Sequence, residues 1–188
     1  MTLWKALLVA IACCIGAAAA RAQSTPVWTD IDCSQLRIPA AIGLKCRGIN
    51  LTGVASQETS PSGTFRQLIA SGAIKRVKLF YLLLETTSLQ TGVSTRSTLA
   101  ETMKQLIPQA SNFSELTPRD GVDFVTFTGA AGDACIGVRR FGTAAIAEYK
   151  WLVFALRCVP AKTTVPDADI AAFIASTKLS SQSSARPG

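Results

Sequence analysis

The chain has 188 residues, of which 48% are hydrophobic and 16% charged, and its formal net charge is +7. It contains no histidine, which excludes Ser-His and Cys-His nucleophilic catalysis and any metal site built on imidazole. The mild excess of basic residues is too dispersed for nucleic-acid binding, but it favours an anionic neighbour such as phospholipid head groups or cell-wall polymer.

Residues 1–22 have the pattern of a cleaved export signal. Lys5 supplies a short positive region, residues 6–20 form an apolar run, and small alanines close it at the −3 and −1 positions. An uncleaved anchor is the alternative, but the run is shorter than the roughly 20 residues that span a bilayer. We expect cleavage before Gln23, a periplasmic or secreted chain with a net charge of +5, and no stable transmembrane segment.

The mature chain has the length of one domain. We predict a single α+β domain over 23–179, beginning with an irregular, cysteine-bounded segment over 23–60 in which apolar residues follow no regular period. The polar, small residues of 180–188 predict a disordered tail. Four cysteines remain after cleavage, which in an exported chain is most simply two disulfides, and sequence proximity favours Cys33–Cys46.

Two strands are predicted next, over 64–70 and 74–85, separated by a break at Gly72. The second is apolar on both faces, which is typical of a central strand covered on each side. Its start carries three basic residues, which are Lys75, Arg76 and Lys78. A site for anionic ligands is one interpretation; a solvated strand end that discourages edge-to-edge pairing is the other, which we favour because charge clusters are mostly solvated.

A helix is predicted to begin after Thr98, because Thr98 and Glu101 have the spacing of a capping box. Pro108 predicts that it ends near Ile107. Its core-facing stripe comprises Leu99, Met103, Leu106, Ile107 and Ala110. A second helix is predicted to open at 166–169, with an inner stripe of Ile170, Phe173, Ile174 and Thr177.

Between the helices, a turn over 117–121 with Pro118 and Gly121 precedes three strands, over 122–127, 134–141 and 149–159. Antiparallel pairing of the last two strands places Phe141 near Leu152, Val138 near Ala155 and Cys135 opposite Cys158. Facing cysteines in such a pair need only a small adjustment to bond, so Cys135–Cys158 is the second predicted disulfide. The same alternation places Leu152, Phe154 and Leu156 on the Cys158 face, and Tyr149, Trp151 and Val153 on the other.

Arg139 and Arg140 are adjacent in a predicted strand, so they should point to opposite faces. We expect one to be exposed beside the sheet and the other to pair with Glu148 or Asp133. They cannot clamp one anion together without a bulge.

No nucleophile elbow, phosphate-binding loop or dinucleotide motif is present, and the sequence indicates no cofactor and no metal site. A hydrolase that uses paired carboxylates remains open, with Asp120, Asp123, Asp133 and Glu148 as its candidate residues. Their spacing does not require that they meet.

The order of elements over about 75–179 is an apolar strand, a capped helix, three strands joined by two turns, and a closing helix. This order resembles the PsbP-like α+β layout, an antiparallel sheet with helices packed on it. It is also similar to that of exported proteins of Gram-negative bacteria to which no activity is assigned. The resemblance implies a non-catalytic accessory or binding module and transfers no functional residue.

The sequence therefore predicts an antiparallel β-sheet with two amphipathic helices packed on it, stapled by disulfides. The hypothesis that we favour is an exported, non-enzymatic accessory or binding domain of the cell envelope or periplasm, with an envelope or extracellular partner for which an anion is the natural candidate. The alternative is an acidic-residue hydrolase of cell-wall or polysaccharide material. A purely structural envelope domain is a third possibility.

Overall fold

An eight-stranded antiparallel sheet organises the fold of the described residues. This computed structural model describes residues 27–52, 64–87, 92–94, 96–145, 148–160 and 165–180. The predicted export signal and the tail after Ser180 lie outside these residues. Among the described residues, no helix has the length and apolar character needed to cross a bilayer.

The strands are β1 (Thr29–Asp30), β2 (Lys45–Thr52), β3 (Thr64–Ile74), β4 (Val77–Thr86), β5 (Thr117–Arg119), β6 (Val122–Thr128), β7 (Ala134–Phe141), β8 (Ala144–Ala145), β9 (Glu148–Tyr149) and β10 (Trp151–Val159). The helices are α1 (Leu99–Leu106) and α2 (Asp167–Ser176). Short 3-10 turns occupy Cys33–Leu36, Pro39–Ala41 and Ala130–Gly132. The order of strands in the main sheet is β1-β2-β3-β4-β10-β7-β6-β5, and β8 and β9 form a separate two-stranded ribbon.

The two faces of the sheet carry two separate hydrophobic clusters. Phe173 and Ile174 of α2 pack on one face together with Leu36 and Ile38 of the N-terminal segment. Met103 of α1 packs on the other. The predicted antiparallel sheet with two helices is confirmed, but the content is mostly sheet, so the α+β class holds only in part.

The two central strands are apolar on both faces, as the sequence pattern of residues 74–85 predicts. In β4, Tyr81 and Leu83 are buried on the α2 face, whereas Leu84 is buried on the α1 face. Strand β10 has the same character and pairs with β4 and β7. Central strands need cover on both sides, and this requirement positions α1 and α2 on opposite faces.

Helix α1 begins and ends as predicted. Thr98 accepts a hydrogen bond from the Glu101 amide at 3.2 Å, and the Glu101 carboxylate accepts one from the Thr98 amide at 2.7 Å. The helix approaches the sheet closely at Gly137, where a Cβ atom would lie 2.6 Å from the Met103 sulfur. A side chain at position 137 would therefore push the helix away from the sheet.

The prediction that Gly72 breaks a strand is wrong. Strand β3 continues through Gly72, which pairs with Leu79, and ends at Ile74. The absence of a side chain makes room for Leu44, whose Cδ2 would lie 3.1 Å from a Cβ atom at Gly72. The chain instead turns at Lys75 and Arg76, which join β3 to β4 as a hairpin.

The predicted turn over 117–121 is shorter than expected. Its first three residues form the edge strand β5, where Pro118 is tolerated because an edge needs fewer amide donors. The turn itself is Asp120–Gly121, with φ of 51° and 73°. Two consecutive positive φ values are typical of a two-residue hairpin turn whose twist matches the strands.

The N-terminal segment is more regular than predicted. Within 23–60, β1 and β2 belong to the main sheet, and β2 pairs with β3 over its whole length. The alternation of apolar residues that would predict β2 is weak because one of its inward-facing residues is Gly48. Glycine is needed there because a Cβ atom would lie 2.9 Å from Leu68. Residues 23–26 and 53–60 lie outside the described part.

The predicted register of β7 and β10 is confirmed at all three pairs, which are Phe141–Leu152, Val138–Ala155 and Cys135–Cys158. The predicted faces of β10 are also confirmed, but the placement of Tyr149 is wrong. It packs against the cluster on the α1 face and stacks on Phe141, with ring centroids 4.5 Å apart. Lys150 is a bend between β9 and β10, so the alternation of β10 does not extend to Tyr149.

Candidate ligand-binding groove

The two predicted cysteine pairs are at bonding distance. Cys33 and Cys46 have Cα atoms 5.3 Å apart and tie the first 3-10 turn to β2. Cys135 and Cys158 have Cα atoms 4.1 Å apart and link two neighbouring strands inside the cluster on the α1 face. Both pairs hold the fold together, and neither offers a free thiol.

Two of the four acidic residues considered for hydrolysis, Asp123 and Asp133, lie far apart. Asp123 bonds to Arg139 at 2.8 Å, and Asp133 bonds to Lys78 at 2.6 Å. Asp133 comes just before β7 and six residues before Arg139, a distance of about 20 Å at the usual rise of a strand, whereas glycosidase carboxylates stand about 5–10 Å apart. Asp120 is a turn residue, and nothing is described of the Glu148 side chain.

The described residues contain no group of three or more cysteine or acidic residues placed to hold a metal ion.

Arg139 and Arg140 point to opposite faces, as predicted, but neither is exposed, and Asp133 pairs with Lys78 rather than with an arginine. The expected pairing with Glu148 concerns a side chain outside the described part of the structure. Arg139 is buried and bonds to Asp123 and to the Ser97 carbonyl. Arg140 donates to Thr177 Oγ1 and to the Ile174 carbonyl at the end of α2, and its burial lowers its pKa. Helices packed over each face supply partners that the strand sequence could not reveal.

An open groove lies between the β3–β4 hairpin and α2. Its volume is about 350 Å³. We call it the tip groove, and it is lined by Ile74, Lys75, Val77, Leu79, Arg157, Asp169, Ala172 and Phe173. Register explains the lining, because Ile74 pairs with Val77 and Leu79 pairs with Arg157, which places these side chains on the α2 face.

The walls of the tip groove are mainly apolar, and its internal charges are matched. Arg157 donates to Asp169 of α2 at 2.9 Å, which connects the floor to the helix wall. Lys75 stands at the mouth and is exposed, as is Arg76 beside it. In the described part of the chain, neither Lys75 nor Arg76 forms an ion pair.

Other cations of the fold contrast with these two. Glu85 accepts hydrogen bonds from Arg37 and from Arg66, and Lys78 is held by Asp133. Thus of the three basic residues clustered in sequence, Lys78 has an internal partner, whereas Lys75 and Arg76 face solvent at the hairpin turn.

The lining residues can bind but carry no catalytic set. They include no serine, cysteine or tyrosine nucleophile, and the single carboxylate, Asp169, is engaged by Arg157. An apolar cleft with a few polar groups at its edge is the usual form of a ligand site. Lys75 at the mouth and Arg76 beside it, which have no ion-pair partner within the described ranges, favour a ligand with negative charge.

The cationic part of this site, Lys75 and Arg76, is visible in the sequence, although the sequence pattern favours a solvated strand end over an anion site. The apolar part was missed. Phe173 was assigned to the inner stripe of α2, and nothing in the local pattern indicates that one side of this stripe stays open toward Ile74. In the sequence, the pattern that indicates this site is an isoleucine, Ile74, directly before two basic residues, Lys75 and Arg76.

The chain was compared with protein-family models, curated proteins and solved structures, and it matches none of them.

Proposed function

We propose that the chain is an exported, non-enzymatic binding domain of the cell envelope or periplasm that holds an anionic partner at the tip groove. The observation that carries the proposal is the apolar groove with exposed Lys75 at its mouth and exposed Arg76 next to it in the turn, neither of which forms an ion pair among the described residues. Apolar walls supply affinity, and the cations supply charge selection and faster encounter.

Two further observations support this proposal. The two cysteine pairs are consistent with an oxidising compartment, where exported domains work. The separation of Asp123 from Asp133, each held by a cation, makes these two unsuitable as a catalytic carboxylate pair and so favours binding over hydrolysis. The resemblance of the element order to PsbP-like domains, which are mostly non-catalytic, agrees with a binding role.

A site-specific crosslink tests the proposal. A photo-crosslinking amino acid is placed at Ala172, an exposed residue of the groove wall, in the full chain in intact cells. The matched control carries the same group at Gln109, an exposed residue beyond α1. We expect a discrete adduct at Ala172 only, which decreases when Lys75→Asn and Arg76→Gly are introduced together.

Mass spectrometry of the adduct identifies the class of partner. Identical adducts at Ala172 and Gln109, or no adduct at Ala172, would contradict a binding role for the groove. If the Ala172 adduct is unaffected by loss of both cations, the groove is still a binding site, but the proposal that its partner is anionic is contradicted.

A further inference from the structure

One end of the main sheet combines exposed isoleucines with exposed cations. Strand β2 starts at this end with Lys45, which pairs with Ser71 of β3, three residues before Ile74. Ile42 belongs to the loop that leads into β2. We call this region the sheet-end surface, and it consists of Ile42, Lys45, Ile74, Lys75 and Arg76.

The apolar members of the sheet-end surface are unusually exposed. Ile42 is 68% exposed and Ile74 is 48% exposed. An isolated exposed isoleucine needs no explanation, but two at one end of a sheet form a patch. Leu44 connects them, because it packs over Gly72, two residues before Ile74.

The charged members are cations available to an external partner. Lys45, Lys75 and Arg76 are exposed, and none of them forms an ion pair within the residues that the structure describes. Of the carboxylates on neighbouring elements, Asp133 and Asp169 are each held by a cation of the fold, Lys78 and Arg157. Asp32, at the start of the first 3-10 turn, accepts a hydrogen bond from the Ser34 amide and is outnumbered by the three cations. The sheet-end surface is therefore positive.

The hairpin turn holds its two residues in a strained backbone conformation. Lys75 and Arg76 have φ of 48° and 67°, the left-handed region that Asn-Gly adopts most readily in two-residue hairpins. Both side chains are exposed, so they stabilise no interior contact. Strained residues that the fold does not need are typical of functional positions.

We propose that the partner of this region is an anionic phospholipid bilayer, on which the chain docks through the sheet-end surface with Ile42 and Ile74 inserted among the lipids. This inference rests on the proposed binding function and names its partner. Cations at the level of the head groups with apolar side chains at the acyl boundary are the arrangement of interfacial proteins. A free anion would contact the cations but leave both isoleucines in water. It would therefore account for the charge of the sheet-end surface but not for its exposed apolar residues.

Vesicle binding of the full mature chain tests the inference. We expect sedimentation with vesicles of phosphatidylcholine and phosphatidylglycerol but not with phosphatidylcholine alone. The variant with Lys75→Asn and Arg76→Gly removes both charges and installs the preferred turn sequence, so its melting temperature should not fall. Its partition coefficient for the anionic vesicles should fall roughly 20- to 30-fold. The charge-matched control is the double variant Lys104→Gln with Lys178→Gln, and its partition coefficient should change only slightly.

Insertion has its own readout. Ile74→Trp should show a blue shift of its added emission with the anionic vesicles. Leu116→Trp, at a residue that is 50% exposed on another part of the chain, should not. Sedimentation without a shift at Ile74 would overturn insertion and leave only electrostatic adsorption.

The inference is overturned if binding does not require phosphatidylglycerol or if loss of the two turn cations leaves partition unchanged. A charge-dependent protein or glycan adduct at Ala172 with no vesicle binding would overturn the bilayer and keep the binding function. Absence of both the adduct and vesicle binding would overturn both proposals.

Discussion

Arg139 of β7 and Asp123 of β6 face each other across the strand pair, with Nη2 2.8 Å from Oδ2. Arg139 is 8% exposed, and its Nη1 also donates to the Ser97 carbonyl at 3.1 Å. Ser97 immediately precedes Thr98, the N-cap of α1. This ion pair therefore helps to hold the start of the helix against the sheet.

Removing the carboxylate should destabilise the fold because it takes a charged partner away from the buried Arg139 guanidinium. Asp123→Ala is expected to lower the free energy of unfolding by about 2–3 kcal/mol, at the low end for buried pairs because the carboxylate side chain is 25% exposed. Urea unfolding measures the change. The control is Asp30→Ala, which breaks a solvent-exposed pair with Arg47 and should cost less than about 1 kcal/mol. Equal losses would contradict the structural role of Asp123.

Gly137 should be sensitive to a single added methyl group. Gly137→Ala places a Cβ atom where Met103 lies, and overpacking of this kind costs about 1–3 kcal/mol. Thermal unfolding in the wild-type and Met103→Ala backgrounds separates this contact from a general backbone effect. We expect the cost of Gly137→Ala to shrink when Met103 is truncated; an unchanged cost would show that the helix contact is not its cause.

The mature protein should contain two disulfides that differ in accessibility. Intact mass before and after complete reduction should differ by four hydrogens, and a smaller difference would contradict the two pairs. Cys33 is partly exposed, whereas Cys135 and Cys158 are 1% and 2% exposed. A mild thiol reductant should therefore open Cys33–Cys46 first in the native protein, because attack requires access to sulfur.

Each disulfide should also contribute to stability. In the loop-entropy model, replacing either pair by alanine is expected to cost about 3 kcal/mol, since the closed loops differ little in the logarithm of their length. Chemical unfolding of the two double variants checks this. A much larger loss for Cys135→Ala with Cys158→Ala would show that packing within the cluster on the α1 face adds to the loop effect.

The capping box of α1 should make stability depend on pH. Hydrogen bonds from Thr98 to the carboxylate lower the pKa of Glu101 below its ordinary value of 4.5. A lowered carboxyl pKa stabilises the folded state at pH values above 4.5, and this stabilisation is lost as pH falls through the folded-state pKa. The difference in melting temperature between wild type and Glu101→Gln should thus be present at neutral pH and decrease in acid. A pH-independent difference would contradict this origin.

Prediction from sequence succeeded where one local rule had no competitor. The capping box at Thr98, the inner stripe of α2 and the register that places Cys135 opposite Cys158 are all confirmed. It failed at Gly72, where the glycine makes room for a side chain from another strand end rather than breaking the strand. It also failed next to Lys150, where a bend interrupts the alternation of inward and outward side chains. At Gly72 the deciding contact comes from Leu44, and next to Lys150 it is the bridge between Tyr149 and Val93; both partners are distant in sequence.

The sequence by itself determined the pairing of the cysteines, the central position of β4 and β10 and the lack of histidine-based chemistry, because periodicity, register and composition are local properties of the chain. Only the tertiary structure decided which charges are matched. It gave Asp123, Asp133 and Asp169 their partners and left Lys75 and Arg76 exposed at the mouth of an apolar groove. The physical reason is that ion pairing depends on which side chains the packed layers bring within a few ångströms, and no periodic pattern in the chain records that distance.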